Sequence, residues 1–231
     1  SLSLKAGQTA VIDLAQNAAG WISFKAKGNR GTRIRVRFGE MLNTTGNSSR
    51  GDDGPKGSIY TANLRSAAAT VKYTLKGDSD GESYHPTTSF FGFRYMEIVA
   101  TDDVTLTDVV GETVTSAMDE FSTFQTSHPD VNQLYSNVMW GQRSNFLSVP
   151  TDCPQRDERQ GWTADTQVFS MAGLYNADTR TFYEKWMNDF IDNQREQGDI
   201  AGIIPSANWG FGGVWPGPVW DAAMFIIPNT L

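Results

Sequence analysis

The chain has 231 residues, 39% of them hydrophobic and 12% aromatic, enough for packed cores and unlike a disordered composition. Its net charge of −7 is unevenly placed: residues 1–116 carry 13 basic and 12 acidic groups, residues 117–231 carry 6 and 14. An acidic second half argues against nucleic acid or an anionic membrane surface as partner. The lone cysteine, Cys153, excludes an intrachain disulfide, and no apolar run is long enough to cross a bilayer. SLSLKAGQTA has no basic start or apolar core, so it is not a leader. A soluble protein is expected, periplasmic or secreted if a leader has been removed.

The first half reads as strands. In GWISFKAKGNRGTRIRVRFGEML, Ile34, Val36 and Phe38 alternate with Arg33, Arg35 and Arg37, the period of a half-buried strand. VKYTLKG alternates Val71, Tyr73 and Leu75, FFGFRYMEIVA is a third strand, and VTLTDVVGETV holds one or two more. Gly/Asn/Asp clusters separate them, and GNSSRGDDGPKG (46–57) is a polar, exposed loop. Short strands with turns between them predict an antiparallel β-sandwich over residues 1–116.

Residues 117–231 switch to helical spacing. SHPDVNQLYSNVMWGQRSNFLSV sets Val131, Leu134, Tyr135, Val138 and Met139 on one stripe, with Ser127 as N-cap and Pro129 in the first turn. A second helix over Gln160–Tyr175 presents Val168, Phe169, Ala172 and Tyr175. A third places Phe182, Trp186 and Phe190 four apart and stops at Gly198, and PVWDAAMFIIP begins a fourth. Such a succession begins an α/α bundle or barrel without closing a large one.

TDCPQRDERQGWTAD (151–165) concentrates the chemistry: Asp152, Asp157, Glu158 and Asp165 with Arg156 and Arg159 among them. Pro154 and Gly161 oppose regular helix, so these charges lie on a loop entering the second helix. Crowded carboxylates raise one another's pKa while arginines lower it, which separates a proton donor from charge-stabilising groups. A solvated, salt-bridged helix start accounts for the same residues about equally well. Trp162, Trp209, Trp215 and Trp220 flank or follow the loop, as sugar-stacking faces or as core; Trp140 and Trp186 lie on helical stripes and read as core. His85 and His128 stand in different halves, which argues against a histidine metal site or a Ser-His-Asp triad. No phosphate-cradling glycine loop occurs, Cys153 reads as a small buried thiol, and no cofactor or metal is expected.

NFLSVPTDCPQRDERQGWTADTQVF strongly resembles the signature of family 78 α-L-rhamnosidases. HPDVNQLYSNVMWGQRSN resembles that family's helix start, and KYTLKG followed by FFGFRYMEI its β-sandwich domain. The resemblance implies a multidomain chain, an antiparallel β-sandwich followed by the first helices of an (α/α)6 barrel, with domains at 1–116 and 117–231. It implies hydrolysis of terminal α-L-rhamnosyl residues from glycosides or polysaccharides, with inversion. Glu158 matches the general acid; Asp152, Arg156, Asp157, Trp162 and Asp165 match positions that bind rhamnose; Trp215 and Asp221 fall in a region lining the pocket, with PVWDAA departing from the usual spacing. The family's general base is a glutamate in later barrel helices, beyond Leu231. A truncated barrel implies an exposed apolar edge, covered by a complementary segment or by self-association. The alternative is a non-catalytic carbohydrate-binding or assembly module.

Overall fold

A computed structural model describes residues 1–207 and 217–231. The chain forms two compact units, Ser1–Val114 with Pro154–Asp157, and Thr115–Cys153 with Glu158–Leu231.

The first unit is built from β1 (Leu2–Leu4), β2 (Thr9–Gly28), β3 (Arg33–Gly39), β4 (Met41–Leu42), β5 (Ile59–Tyr60), β6 (Thr70–Thr74), β7 (Glu82–Tyr84), β8 (Phe91–Ala100) and β9 (Val104–Thr113). Its main sheet is antiparallel in the order β1-β9-β2-β8-β3-β6, with β7 also on β2. The 20-residue β2 explains how one sheet makes two layers. It pairs with β8 over residues 9–20 and with β9 over residues 20–28, with a register shift between Asp13 and Ala18. Such an irregularity bends a strand and re-aims its partners. The two halves of β2 thereby join different strand sets, and inward side chains of both fill one core.

That core follows from the period-2 pattern: Ile34, Val36 and Phe38 are buried on β3 while Arg33 and Arg35 stay exposed. Phe38 stacks on Phe91 at a centroid separation of 4.3 Å and meets Phe93 edge-on at 4.7 Å. Burying an aliphatic or aromatic side chain of this kind contributes about 1.5–3 kcal/mol. VTLTDVVGETV forms the single strand β9. The loop at 46–57 is mostly exposed yet ordered, because the Asp52 carboxylate accepts from the Thr44, Thr45 and Gly46 amides.

The second unit contains α1 (Pro129–Asn145), the hairpin β10 (Phe146–Leu147) and β11 (Val149–Pro150), α2 (Thr163–Asn176), α3 (Arg180–Asn193), α4 (Pro218–Asp221) and α5 (Ala223–Thr230). Phe146, Phe182, Tyr183, Trp186, Phe190, Ile204 and Ile227 form its core. The expected spacing of Phe182, Trp186 and Phe190 is the buried face of α3, and Phe182 stacks on Phe146 at 4.6 Å.

Several helix expectations are corrected. His128, not Ser127, occupies the N-cap of α1, without a side-chain cap bond; Pro129 is in its first turn as expected. Helix α2 begins at Thr163 rather than Gln160, and α3 ends at Asn193 rather than Gly198. Val131 and Leu134 of α1 are exposed, whereas its buried residues are Met139, Gln142 and Ser144. Helix α2 buries Thr163, Ala164, Thr166, Ser170, Gly173 and Asn176, while Val168 is 81% and Tyr175 69% exposed. Trp186 is fully buried; Trp140 is half-buried beneath the Arg143 guanidinium.

Candidate active site

The acidic loop is irregular because its backbone is committed at both ends. Asp152 and Gln160 clasp each other: the Asp152 amide donates to the Gln160 carbonyl at 3.0 Å, and the Gln160 amide donates to Asp152 Oδ1 at 2.9 Å. Downstream, Trp162 forms an antiparallel bridge with Ile203, and the Ile204 amide donates to the Gly161 carbonyl at 2.9 Å. Gly161 is the residue this approach requires. A Cβ there would sit far inside contact distance of the Ile204 carbonyl oxygen, which accepts the buried Trp186 indole N–H at 2.9 Å. Arg159, directly after Glu158, has φ of 52°, so the chain turns sharply behind the carboxylate.

Within the second unit these constraints gather three of the expected residues. Glu158 Oε1 accepts the Trp162 indole N–H at 2.9 Å. A ligand oxygen of Asp152, one of Glu158 and the Cys153 sulfur all lie within 4.8 Å of one another. Asp165 stands in the first turn of α2, where the helix dipole favours a negative charge. Its pKa is nevertheless raised. Burial is the largest cause, opposed by a backbone N–H, and the Asp152 and Glu158 charges add to the rise.

Asp152 and Asp165 line a cleft of about 280 Å³. Its other walls mix apolar residues, among them Val138, Phe146, Pro150 and Phe169, with the amides of Gln142 and Asn145 and the hydroxyl-bearing Thr151 and Thr166. Glu158 does not line this cleft, although one of its carboxylate oxygens lies within 4.8 Å of one of Asp152. Arg156 and Asp157 belong to the segment packed with the first unit, where Asp157 Oδ1 accepts from Arg65 Nε at 2.6 Å and Oδ2 accepts from the Ser66 amide and hydroxyl. Cys153 is buried, as its small thiol suggests. Asp221 closes the short helix α4 beside the half-buried Trp220; Trp209 and Trp215 lie outside the described residues.

Sequence reasoning missed the cleft's amide and aromatic walls and the Arg65–Ser66 partners. Phe169 was legible as a helix residue but not as a wall, and nothing local marks Arg65, which is 92 residues from Asp157. As a cation site, Asp152, Cys153 and Glu158 offer three donors, one short of a tetrahedral shell, and one Glu158 oxygen is already engaged by Trp162.

An antiparallel sheet unit followed by helical hairpins with a carboxylate-rich loop is the plan of a glycosidase, and comparison with known proteins makes this specific. Residues 4–115 match the bacterial α-L-rhamnosidase concanavalin-like domain, and residues 119–231 match the bacterial α-L-rhamnosidase six-hairpin glycosidase domain. The chain belongs to the family 78 α-L-rhamnosidases.

An α-L-rhamnosidase of Streptomyces avermitilis is 44% identical over 214 residues, covering 88% of this chain and 20% of that protein. One of Alteromonas is 33% identical over 226 residues, covering 96% and 23%. The solved structure of the Streptomyces avermitilis enzyme with L-rhamnose superposes with a TM-score of 0.80 at 38% identity, over 100% of this chain and 22% of that one. The Dictyoglumus thermophilum enzyme gives 0.83 at 34% identity, over 98% and 25%. The chain thus spans roughly a fifth to a quarter of the relatives it matches. No helix among the described residues is long and apolar enough to cross a membrane.

Proposed function

We propose that the chain supplies the β-sandwich domain and the acid-bearing part of the catalytic domain of an inverting α-L-rhamnosidase, acting on rhamnose-containing glycosides or polysaccharides. The supporting observation is the cleft walled by Asp152 and Asp165, with a Glu158 carboxylate oxygen within 4.8 Å of one of Asp152. At about 280 Å³ the cleft suits one sugar ring rather than an extended ligand, since pockets for drug-sized molecules run to roughly 300–1,000 Å³.

In this reading Glu158 gives its proton to the glycosidic oxygen as the bond to the leaving group breaks. The Trp162 indole holds the carboxylic group in place before transfer and stabilises the carboxylate after it. Asp152, Arg156 and Asp165 bind rhamnose hydroxyls, and Trp162 walls the site. By resemblance Asp221 and Trp215, the latter outside the described residues, are assigned to the same pocket. The positive charge developing on the ring is favoured by the neighbouring carboxylates. Inversion also requires a second carboxylate about 6.5–9.5 Å from the first, with room for water. Asp152, within 4.8 Å of Glu158, is too close for that role. The rest of the barrel supplies the base. The exposed apolar residues Val168, Met171 and Tyr175 of α2 are the face that such further helices cover.

The test is release of free rhamnose from α-L-rhamnosides by the protein that contains this chain. The reading predicts turnover with the freshly released sugar of inverted configuration. Binding of rhamnosides without hydrolysis would instead indicate a carbohydrate-binding module.

A further inference from the structure

We propose that Asp157 is a positioning residue: together with Gly92 it tethers the acidic loop to the sandwich unit and fixes the backbone from which Glu158 is presented. Family resemblance places Asp157 among the sugar-binding positions, but its atoms are otherwise committed. Both carboxylate oxygens are used, Oδ1 by Arg65 Nε and Oδ2 by the amide and hydroxyl of Ser66. The Ser66 hydroxyl, and after it the Arg65 guanidinium, hold the Asp157 carboxyl below the usual carboxylate range.

The donor end of the tether is itself unusual. Arg65 has φ of 56° and ψ of −113°, a conformation that a non-glycine residue keeps only where its surroundings over-determine it. The buried Leu64 on one side and the carboxylate on the other supply that constraint.

A second, independent contact holds the same segment. Gly92 on β8 lies so close to the loop that a Cβ would stand 2.8 Å from Gln155 Cβ, 2.9 Å from its backbone nitrogen and 2.9 Å from the Pro154 carbonyl carbon. These are mostly backbone atoms, which cannot swing aside. Residues 154–157 are therefore fixed at both ends within the first unit, and the next residue is Glu158. A general acid must be held to within a fraction of an ångström of the oxygen it protonates, and a misplacement of about 1 Å can cost on the order of 10²-fold.

This inference rests on Glu158 as general acid, and its test separates the two ideas. Arg65→Ala and Gly92→Ala are made in the protein containing this chain and compared with Glu158→Gln. Hydrogen exchange of amides 155–160, which needs no activity, is expected to quicken at least ~10-fold in both tether variants while the β3 amides 34–38 keep their protection. Turnover of an alkyl rhamnoside, which needs a proton donor, is expected to fall ~10²-fold; that of an activated aryl rhamnoside should fall less than about 3-fold, with rhamnose affinity unchanged. Arg65→Lys should recover part of the loss. Unchanged exchange in both tether variants overturns the proposal, as does weakened rhamnose binding in Asp157→Asn with wild-type behaviour in Arg65→Ala. If Glu158→Gln lacks the alkyl-selective loss, the acid assignment fails instead, and the exchange measurement still decides the tether.

Discussion

Replacing Gly161 with alanine tests whether the close approach of the acidic loop to residues 202–204 is as tight as the structure has it. The added methyl would meet the Ile204 carbonyl oxygen far inside contact distance, with the carbonyl carbon at 3.3 Å and Trp186 Nε1 at 3.4 Å. Backbone is met on one side and a fully buried indole on the other, so the segment 202–204 must move. The movement breaks two bonds of 2.9 Å, Ile204 N–H to Gly161 O and Trp186 Nε1–H to Ile204 O. A buried group left without its partner costs about 1–3 kcal/mol, so the pair amounts to roughly 2–6 kcal/mol. At about 3 °C per kcal/mol, the helical unit should melt about 6–18 °C lower in a calorimetric scan. Trp186→Phe, which removes the indole donor together with part of the ring volume, should be less costly in the Gly161→Ala background than alone, because that bond is already lost. A melting temperature within about 1 °C of wild type, or fully additive effects, would refute the reasoning.

Two pH dependences follow from perturbed carboxylates, the buried Glu82 and the exposed Asp165. Burial pushes Glu82 up, but the amides of Lys76, Gly77 and Asp78 and the Tyr73 hydroxyl outweigh it and hold its pKa at about 2, against 4.5 unperturbed. Its stabilising contribution is therefore present above pH ~4.5 and lost as pH falls towards 2, so Glu82→Gln should be less stable at pH 7 and the gap should close in acid. Equal denaturation midpoint differences at both pH values would contradict this. Asp165 has the opposite sign: raised by burial and by its acidic neighbours, it stabilises below its unperturbed 3.8 and loses that contribution as it ionises. Asp165→Asn should accordingly gain stability relative to wild type at neutral pH and match it near pH 3, read as urea midpoints, even as rhamnose binding weakens.

What could be read from the chain alone depended on where each element's partner lies. Ile34, Val36 and Phe38 announced β3 because one face of that strand meets a core made within the same unit. Phe182, Trp186 and Phe190 did the same for α3. The full length of β2 was not legible, since Asn17, Ala18 and Ala19 interrupt its alternation where the strand changes partners. The stripes assigned to α1 and α2 mispointed for another reason. Helix α2 buries Thr163, Thr166, Ser170 and Gly173, small residues that allow close packing, while its apolar Val168 and Tyr175 face outward. Hydrophobic period therefore marked the buried face only in part: Met139 of α1 is buried and Phe169 of α2 packs on the core.

At the site, the cluster of Asp152, Glu158 and Trp162 was readable because its members share one loop. The spacing of seven between Glu158 and Asp165 was not informative, because Glu158 precedes the helix and Gly161 lies in the intervening loop. Arg65, Ser66 and Gly92 were invisible, because distant segments meet only through the fold.

The central claim is that Glu158 protonates the leaving group, and its most direct test is the dependence of kcat/KM on leaving-group pKa across a series of aryl α-L-rhamnosides. With a proton donor in place the dependence is shallow, because the departing oxygen leaves protonated. The account predicts a shallow slope for the wild-type protein and a steep one for Glu158→Gln, with the poorest leaving groups slowed by about 10²–10⁴-fold and the best nearly unaffected. Parallel slopes for the two proteins would contradict it.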